Sequence, residues 1–194
     1  KDMQLTCTFW VASGVTVTAT SHDATRLLVS ADAQAVGAAT AAATATAVSS
    51  GTGVAFTFQG LASSGTVEVV LSAPGYQDLR VAVALRQTEF YWSSLSYSSN
   101  SISMHAGDSA VLTVGLRTTA GSGTPRAGAN VAVDVLMDPL GLITLEPTHV
   151  VFDGPASGGQ VHVHATAPGS VLLRIAAPDG FSASAIPLLV NVLP

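Results

Sequence analysis

What this 194-residue sequence lacks narrows its functions before what it contains. Only 10% of its residues are charged, against roughly 25% in average globular proteins. Lys1 is the single lysine, no two arginines are adjacent, and the net charge is −5. Binding to nucleic acid draws on a basic patch that releases phosphate counterions, so a nucleic-acid partner is not expected. Cys7 is the one cysteine, which rules out a disulfide within the chain and leaves the redox compartment open. No asparagine stands two positions before Ser or Thr, since Asn100 is followed by Ser101 and Ile102. N-glycosylation is therefore not expected, while the Ser/Thr-rich stretches offer hydroxyls to O-glycans. No charge lies between Asp32 and Glu68, yet Ser, Thr, Gly and Gln interrupt that stretch every few positions. It falls short of the roughly 20 apolar residues a membrane helix needs. The tail from Phe181 to Pro194 is shorter still and contains Pro187. Membrane attachment, if any, is expected only through segments outside this sequence. The opening run KDMQLTCTFW is strand-like and carries no signal peptide, as in a fragment or a processed chain.

What is present is a chain 48% hydrophobic, chiefly through Ala and Val. Apolar residues recur with period two: Val15, Val17 and Ala19; Val54, Phe56 and Phe58; Val131, Val133 and Val135; Val161 and Val163; Val190 and Val192. Each run is short, rich in β-branched residues and bounded by Gly, Pro, Ser or Asp, as half-buried strands are. The alanines of Ala31 to Val48 suit a helix, but the threonines between them and Gly37 favour strand. The expected fold class is all-β, a pair of tandem sandwiches.

The pair follows from an internal repeat. GTVEVVLSAPGY (Gly65 to Tyr76) matches GSVLLRIAAPDGF (Gly169 to Phe181), with Gly65 over Gly169, Val67 over Val171, Leu71 over Ile175 and Pro74 over Pro178. Upstream, GVAFTF (Gly53 to Phe58) lies over QVHVHA; downstream, LRVAVAL (Leu79 to Leu85) lies over IPLLVNVL. The boundary falls near Gln87, giving repeats over residues 1–87 and 88–194. Leu5-Thr6 already corresponds to Leu112-Thr113, so the first repeat is expected to lack its opening strand. In the A-P-G and A-P-D-G turns, proline presets φ and the glycine takes a positive φ. Tyr76 and Phe181 follow, placed to cover an end of each core.

The second repeat reads AGDSAVLTVGL, GANVAVDV, ITLEPTHVVFDG, GGQVHVHATAPGSVLLRIAAPDGF and PLLVNV. This order of strands and turns resembles the bacterial-type immunoglobulin-like repeat of invasin- and intimin-like surface proteins. Similar repeats occur in algal gamete-adhesion proteins and a nuclear-pore membrane glycoprotein. The resemblance covers nearly all of the second repeat and the last two-thirds of the first. It implies immunoglobulin-like β-sandwich domains that serve as spacers or as presenters of adhesive loops. It implies no catalytic residues and no cofactor.

Other constellations are weighed on their chemistry. Gly107-Asp108-Ser109 looks superficially like a serine-hydrolase nucleophile, with His105 nearby, but a triad needs an oriented base and a third group. His162 and His164 share one face of a strand and could open a metal site with His149 or Asp153. Two histidines are too few, and a solvated outward face is the simpler reading. Asp134, Asp138 and Asp153 lack the dense spacing of a calcium loop. No metal is expected. Cys7 and Trp10 lie on one strand and are read as packing inside, with pairing of Cys7 between chains the alternative if that edge is open. Phe90, Tyr91, Trp92 and Tyr97 cluster where the repeats meet, and read as an interdomain seam or as a platform for sugar stacking.

These readings converge on a non-catalytic structural or adhesive segment, extracellular or at a cell surface. Its expected partners are proteins or glycans at that surface and neighbouring repeats of the same chain. The alternatives are a carbohydrate-binding accessory module of a secreted enzyme and a lumenal scaffold repeat of a membrane glycoprotein.

Overall fold

A computed structural model describes residues 1–48, 51–93, 100–155 and 159–194. Its regular structure is β throughout, and it divides into two compact units. The first takes Lys1–Gln87, with Gly123–Ala129 and a short stretch beginning at Asp153. The second takes Thr88–Ser122, Asn130–Phe152 and the remainder of the chain to Pro194.

In the first unit the strands are β1 (Met3–Trp10), β2 (Thr16–Ser21), β3 (Leu27–Ser30), β4 (Thr40–Thr44), β5 (Thr46–Val48), β6 (Gly51–Gly60), β7 (Thr66–Ser72) and β8 (Leu79–Ala84). One sheet runs β3-β6-β1, with β5 also paired to β6; the other runs β4-β2-β7-β8. Period-two alternation turns Val54, Phe56 and Phe58 of β6 toward Val17 and Ala19 of β2 and toward Val67, Val69 and Leu71 of β7. These form one buried cluster, the core of an immunoglobulin-like sandwich.

The following strands are β9 (Glu89–Trp92), β10 (Ser101–His105), β11 (Ser109–Thr118), β12 (Gly121–Pro125), β13 (Val131–Asp138), β14 (Ile143–Glu146), β15 (His149–Phe152), β16 (Gly159–Ala165), β17 (Gly169–Ala176), β18 (Ser182–Ala183) and β19 (Leu188–Leu193). In the second unit β14, β16, β11 and β9 pair in that order, while β10-β19-β17-β13-β15 forms the facing sheet. Val161, Val163 and Ala165 of β16 and Val171, Leu173 and Ile175 of β17 supply its buried side chains.

Strand for strand the units correspond. The orders β3-β6-β1 and β4-β2-β7-β8 repeat as β14-β16-β11 and β15-β13-β17-β19. The matched positions Val67/Val171, Val69/Leu173 and Leu71/Ile175 are buried in both. Among the described residues the first unit has no counterpart of β9, β10 or β18. The edge of β1 away from β6 is met only at its start, where Met3 and Gln4 pair with Pro125 and Thr124 of β12. Arg126 secures that contact by donating from Nε to Asp2 Oδ1 at 2.8 Å.

The Ala-rich stretch forms strands, not a helix. Thr40, Ala42 and Thr44 face solvent while Ala41 and Ala43 turn inward, the period-two pattern of a pleated strand. The loop before it is held from within by Gln59, a fully buried residue of β6. Its Oε1 accepts the Gly37 N–H at 2.8 Å, and its Nε2 donates to the Ala35 carbonyl at 2.8 Å. Gly37 has to be glycine, because a Cβ there would stand 2.7 Å from the Val29 carbonyl oxygen.

Replacing Gln59 by Leu leaves those two backbone groups without a partner. The expected cost is about 2 kcal/mol, since each buried unsatisfied group forfeits its solvation. Denaturant unfolding measures it, and a loss below about 0.5 kcal/mol would remove the carboxamide's role.

Candidate functional site

The first unit carries an apolar groove beside β1. Along that strand Cys7 and Phe9 take the inward positions and pack, partly buried, against the first core. Phe9 lies 6.4 Å from Phe56 and 6.3 Å from Phe58, ring centroid to centroid. Trp10 is one residue out of phase, so its indole turns outward and is 56% exposed. The expectation that Trp10 packs inside is corrected by this parity, and Cys7 remains a partly buried free thiol.

The opposite wall comes from the A-P-G turn. Gly75 adopts φ +79°, and the Tyr76 N–H closes the turn on the Ala73 carbonyl at 3.1 Å. Tyr76 is thereby aimed across the gap, where its hydroxyl accepts the Ala12 N–H at 3.4 Å. Between these walls lies a cavity of about 380 Å³, floored by Val17 and Leu71 and flanked by Trp10, Tyr76 and Leu79. No charged residue lines it, and Thr8, Ser72 and Gln77 supply its polar groups. An apolar hollow of this size with a few polar groups is the usual form of a binding site.

In the second unit the corresponding place is filled. Strand β9 pairs antiparallel with Val114 to Arg117 of β11 and parallel with β18, which directly follows Phe181. Phe90 is completely buried there, 5.4 Å from Phe152 and 5.3 Å from Phe181. The next side chain points the other way. Tyr91 is half-buried, its hydroxyl shares a hydrogen bond with Ser122 Oγ at 3.0 Å, and the Arg117 guanidinium lies 4.6 Å from its ring centroid. Arg117 Nε also donates to Glu89 Oε2 at 2.8 Å.

A stacking platform made of Phe90, Tyr91, Trp92 and Tyr97 is therefore corrected in part. Phe90 is fully buried and Trp92 only 8% exposed, so neither offers an open ring face to a sugar. Tyr97 lies outside the described residues.

The polar constellations lie on open sheet surface. Ser109 Oγ is 3.1 Å from Nδ1 of His164, a pair the sequence reading missed because β11 and β16 bring the two together from 55 positions apart. The backbone N–H of His105 donates to Asp108 Oδ2 at 2.8 Å, and its ring Nδ1 lies 3.7 Å from the same oxygen. Both Ser109 and His164 are exposed, and a nucleophile needs a sheltered, oriented constellation. His162 and His164 face solvent on β16, whereas His149 belongs to the other sheet and pairs with Asp134 at 2.7 Å. Among the described residues no three His, Cys, Asp or Glu side chains converge as a metal site would require.

No protein-family model and no curated protein matches the chain. Solved structures similar to it include the adhesin InvE of Yersinia pseudotuberculosis, at 15% identity and a TM-score of 0.41, covering 94% of this chain and 50% of that one. The D0-D1 domain of intimin is similar at 16% identity and a TM-score of 0.35, covering 97% and 87%. Domains 1–6 of the surface layer protein SbsC give 17% and 0.37, covering 91% of this chain and 20% of that one. These are adhesin and surface-layer proteins, the kind whose repeats the sequence resembles. At such identities and scores they say nothing of what this chain binds.

Core and groove aromatics should separate by mutation. Phe90→Ala is expected to cost about 3–5 kcal/mol, as large-to-small core changes do. Trp10→Ala should cost under about 1 kcal/mol, as at a surface position. Thermal and chemical unfolding of the two variants checks the contrast.

Proposed function

We propose that the chain is a non-catalytic structural and adhesive segment of a secreted or cell-surface protein, with the groove of the first unit as its binding element. The observation that carries the reading is the uncharged cavity flanked by Trp10, Tyr76 and Leu79, all about half exposed. Large apolar side chains held in water around a hollow mark an interaction site more often than a fold requirement. Trp and Tyr are also the residues that dominate binding energy where they are buried by a partner. The low charge supports the same reading: affinity here rests on apolar area and hydroxyls, not on steering by charge. Tandem repetition of one sandwich suits a segment that spaces and presents such an element.

Adhesion of the full chain to cells and to protein- or glycan-coated surfaces tests the proposal. Trp10→Ala is expected to lower adhesion about tenfold, the effect of losing one central aromatic contact. Ser109→Ala and the joint change of His162 and His164 to Ala should leave it unchanged. Cleavage of ester or glycosidic substrates that is lost with Ser109→Ala would overturn the non-catalytic reading. Adhesion indifferent to Trp10 would overturn the groove's part in it.

A further inference from the structure

The sheet β4-β2-β7-β8 of the first unit ends on β4, and among the described residues no strand pairs with the far side of β4. Its counterpart β15 ends a sheet of the second unit in the same way, so this edge belongs to the strand order of the sandwich itself. The two edges differ in how they are guarded. Charges and prolines commonly keep foreign strands off a bare edge. Around β15 stand Glu146, Pro147, Asp153 and the pair of His149 with Asp134. β4 reads Thr40-Ala41-Ala42-Ala43-Thr44, and no charge lies between Asp32 and Glu68. Hydrogen bonds at its two ends fix which backbone groups are free. The Ser21 N–H donates to the Ala39 carbonyl and the Ala45 N–H to the Val15 carbonyl, both at 2.8 Å. Odd-numbered residues thus turn their backbone toward β2, while Thr40, Ala42 and Thr44 direct N–H and C=O to the open side.

We infer that β4 pairs antiparallel with β4 of a second copy of this chain, about a twofold axis at Ala42. The run Ala39-Thr40-Ala41-Ala42-Ala43-Thr44-Ala45 reads the same in both directions. Centred on Ala42, antiparallel pairing of two such strands sets Thr40 opposite Thr44 of the second copy and Ala42 opposite Ala42. The backbone parity agrees with the palindrome. The residues brought opposite one another are those whose N–H and C=O point out of the sheet, so each pair exchanges both of its bonds. Side chains on the solvent face fit the same arrangement. Thr44 Oγ1 already lies 2.9 Å from Thr16 Oγ1 on β2, and the pairing places Thr40 of the second copy on its other side. Cross-strand pairs of threonines stabilise a sheet, and the alanine at the axis leaves room for close approach. The two four-stranded sheets become one, and the twofold contact uses up both edges, so association stops at a dimer. No residue of β4 lines the groove, and the contact goes beyond the adhesive reading.

Sedimentation equilibrium of the 194-residue chain from about 1 μM to about 1 mM, the span of weak to moderate affinities, tests the pairing. A reversible monomer–dimer equilibrium is expected. Ala42→Pro removes the N–H at the axis from both copies and should weaken the dimer about tenfold or more. Ala42 is exposed and its N–H faces the open edge, where proline is tolerated, so circular dichroism should show the fold intact. Ala42→Lys and Ala42→Glu each oppose like charges on Cα atoms about 5.5 Å apart, and each should weaken the dimer about threefold or more. Mixed in equal amounts at low salt, these two variants should associate with each other more tightly than either does with itself. Trp10→Ala should leave the equilibrium unchanged, which separates this contact from the groove. A chain monomeric throughout, a dimer indifferent to the Ala42 variants, a Lys/Glu mixture no tighter than its components, or a dimer lost with Trp10→Ala would each overturn the inference.

Discussion

Strand pairing governs this chain more than any single side-chain contact. With so little charge and a core drawn largely from Ala and Val, stability depends on placing every second residue inward and satisfying every backbone group in a ladder. A strand edge without a neighbour is then both a structural weakness and a point of attachment. In the second unit that edge is closed by β9, and Phe90 is buried with it between Phe152 and Phe181. In the first unit β12 reaches only Met3 and Gln4, and the remainder of the outer edge of β1 is where the groove opens. The groove adjoins the stretch of that edge for which the described residues offer no neighbour.

The side chains bordering the groove differ from those at the matching place in the second unit. The aromatic after the shared turn also changes its role. Phe181 packs on Phe90 and is largely withdrawn from water, whereas Tyr76 has no such partner and reaches instead for the Ala12 N–H. A hydroxyl at that position suits a rim residue, with its ring toward the apolar hollow and its oxygen toward a backbone donor.

Much of the architecture was legible in the sequence. Period-two runs such as Val161 and Val163 mark strands because a half-buried pleat demands them. The matched strings around Pro74 and Pro178 expose the repeat because the same turn needs the same proline and glycine. Even the Ala-rich stretch carried part of its answer in Thr40 and Thr44, which share a parity opposite to that of the inward Ala41 and Ala43. The groove was harder to read. Its walls come from segments some 65 positions apart, and nothing local marks Trp10 as outward except its phase relative to Cys7 and Phe9. The aromatic run at Phe90 was the louder signal, yet its burial depends on the non-local partners Phe152 and Phe181. The contact between Ser109 and His164 was hidden for the same reason, since strand register is invisible to a search along the chain.

The central claim is that, among the described residues, the edge of β1 away from β6 has no neighbour beyond Gln4, whereas β9 lies along β11. Amide hydrogen exchange on the free 194-residue chain, resolved by residue, tests it most directly. Amides of Ser109 to Val114 directed toward β16, and those of Val114 to Arg117 directed toward β9, should be protected. Between Cys7 and Trp10 the amides directed toward β6 should be protected and the alternate ones should exchange rapidly. Uniform protection across Cys7 to Trp10, equal to that of Val114 to Arg117, would contradict the account.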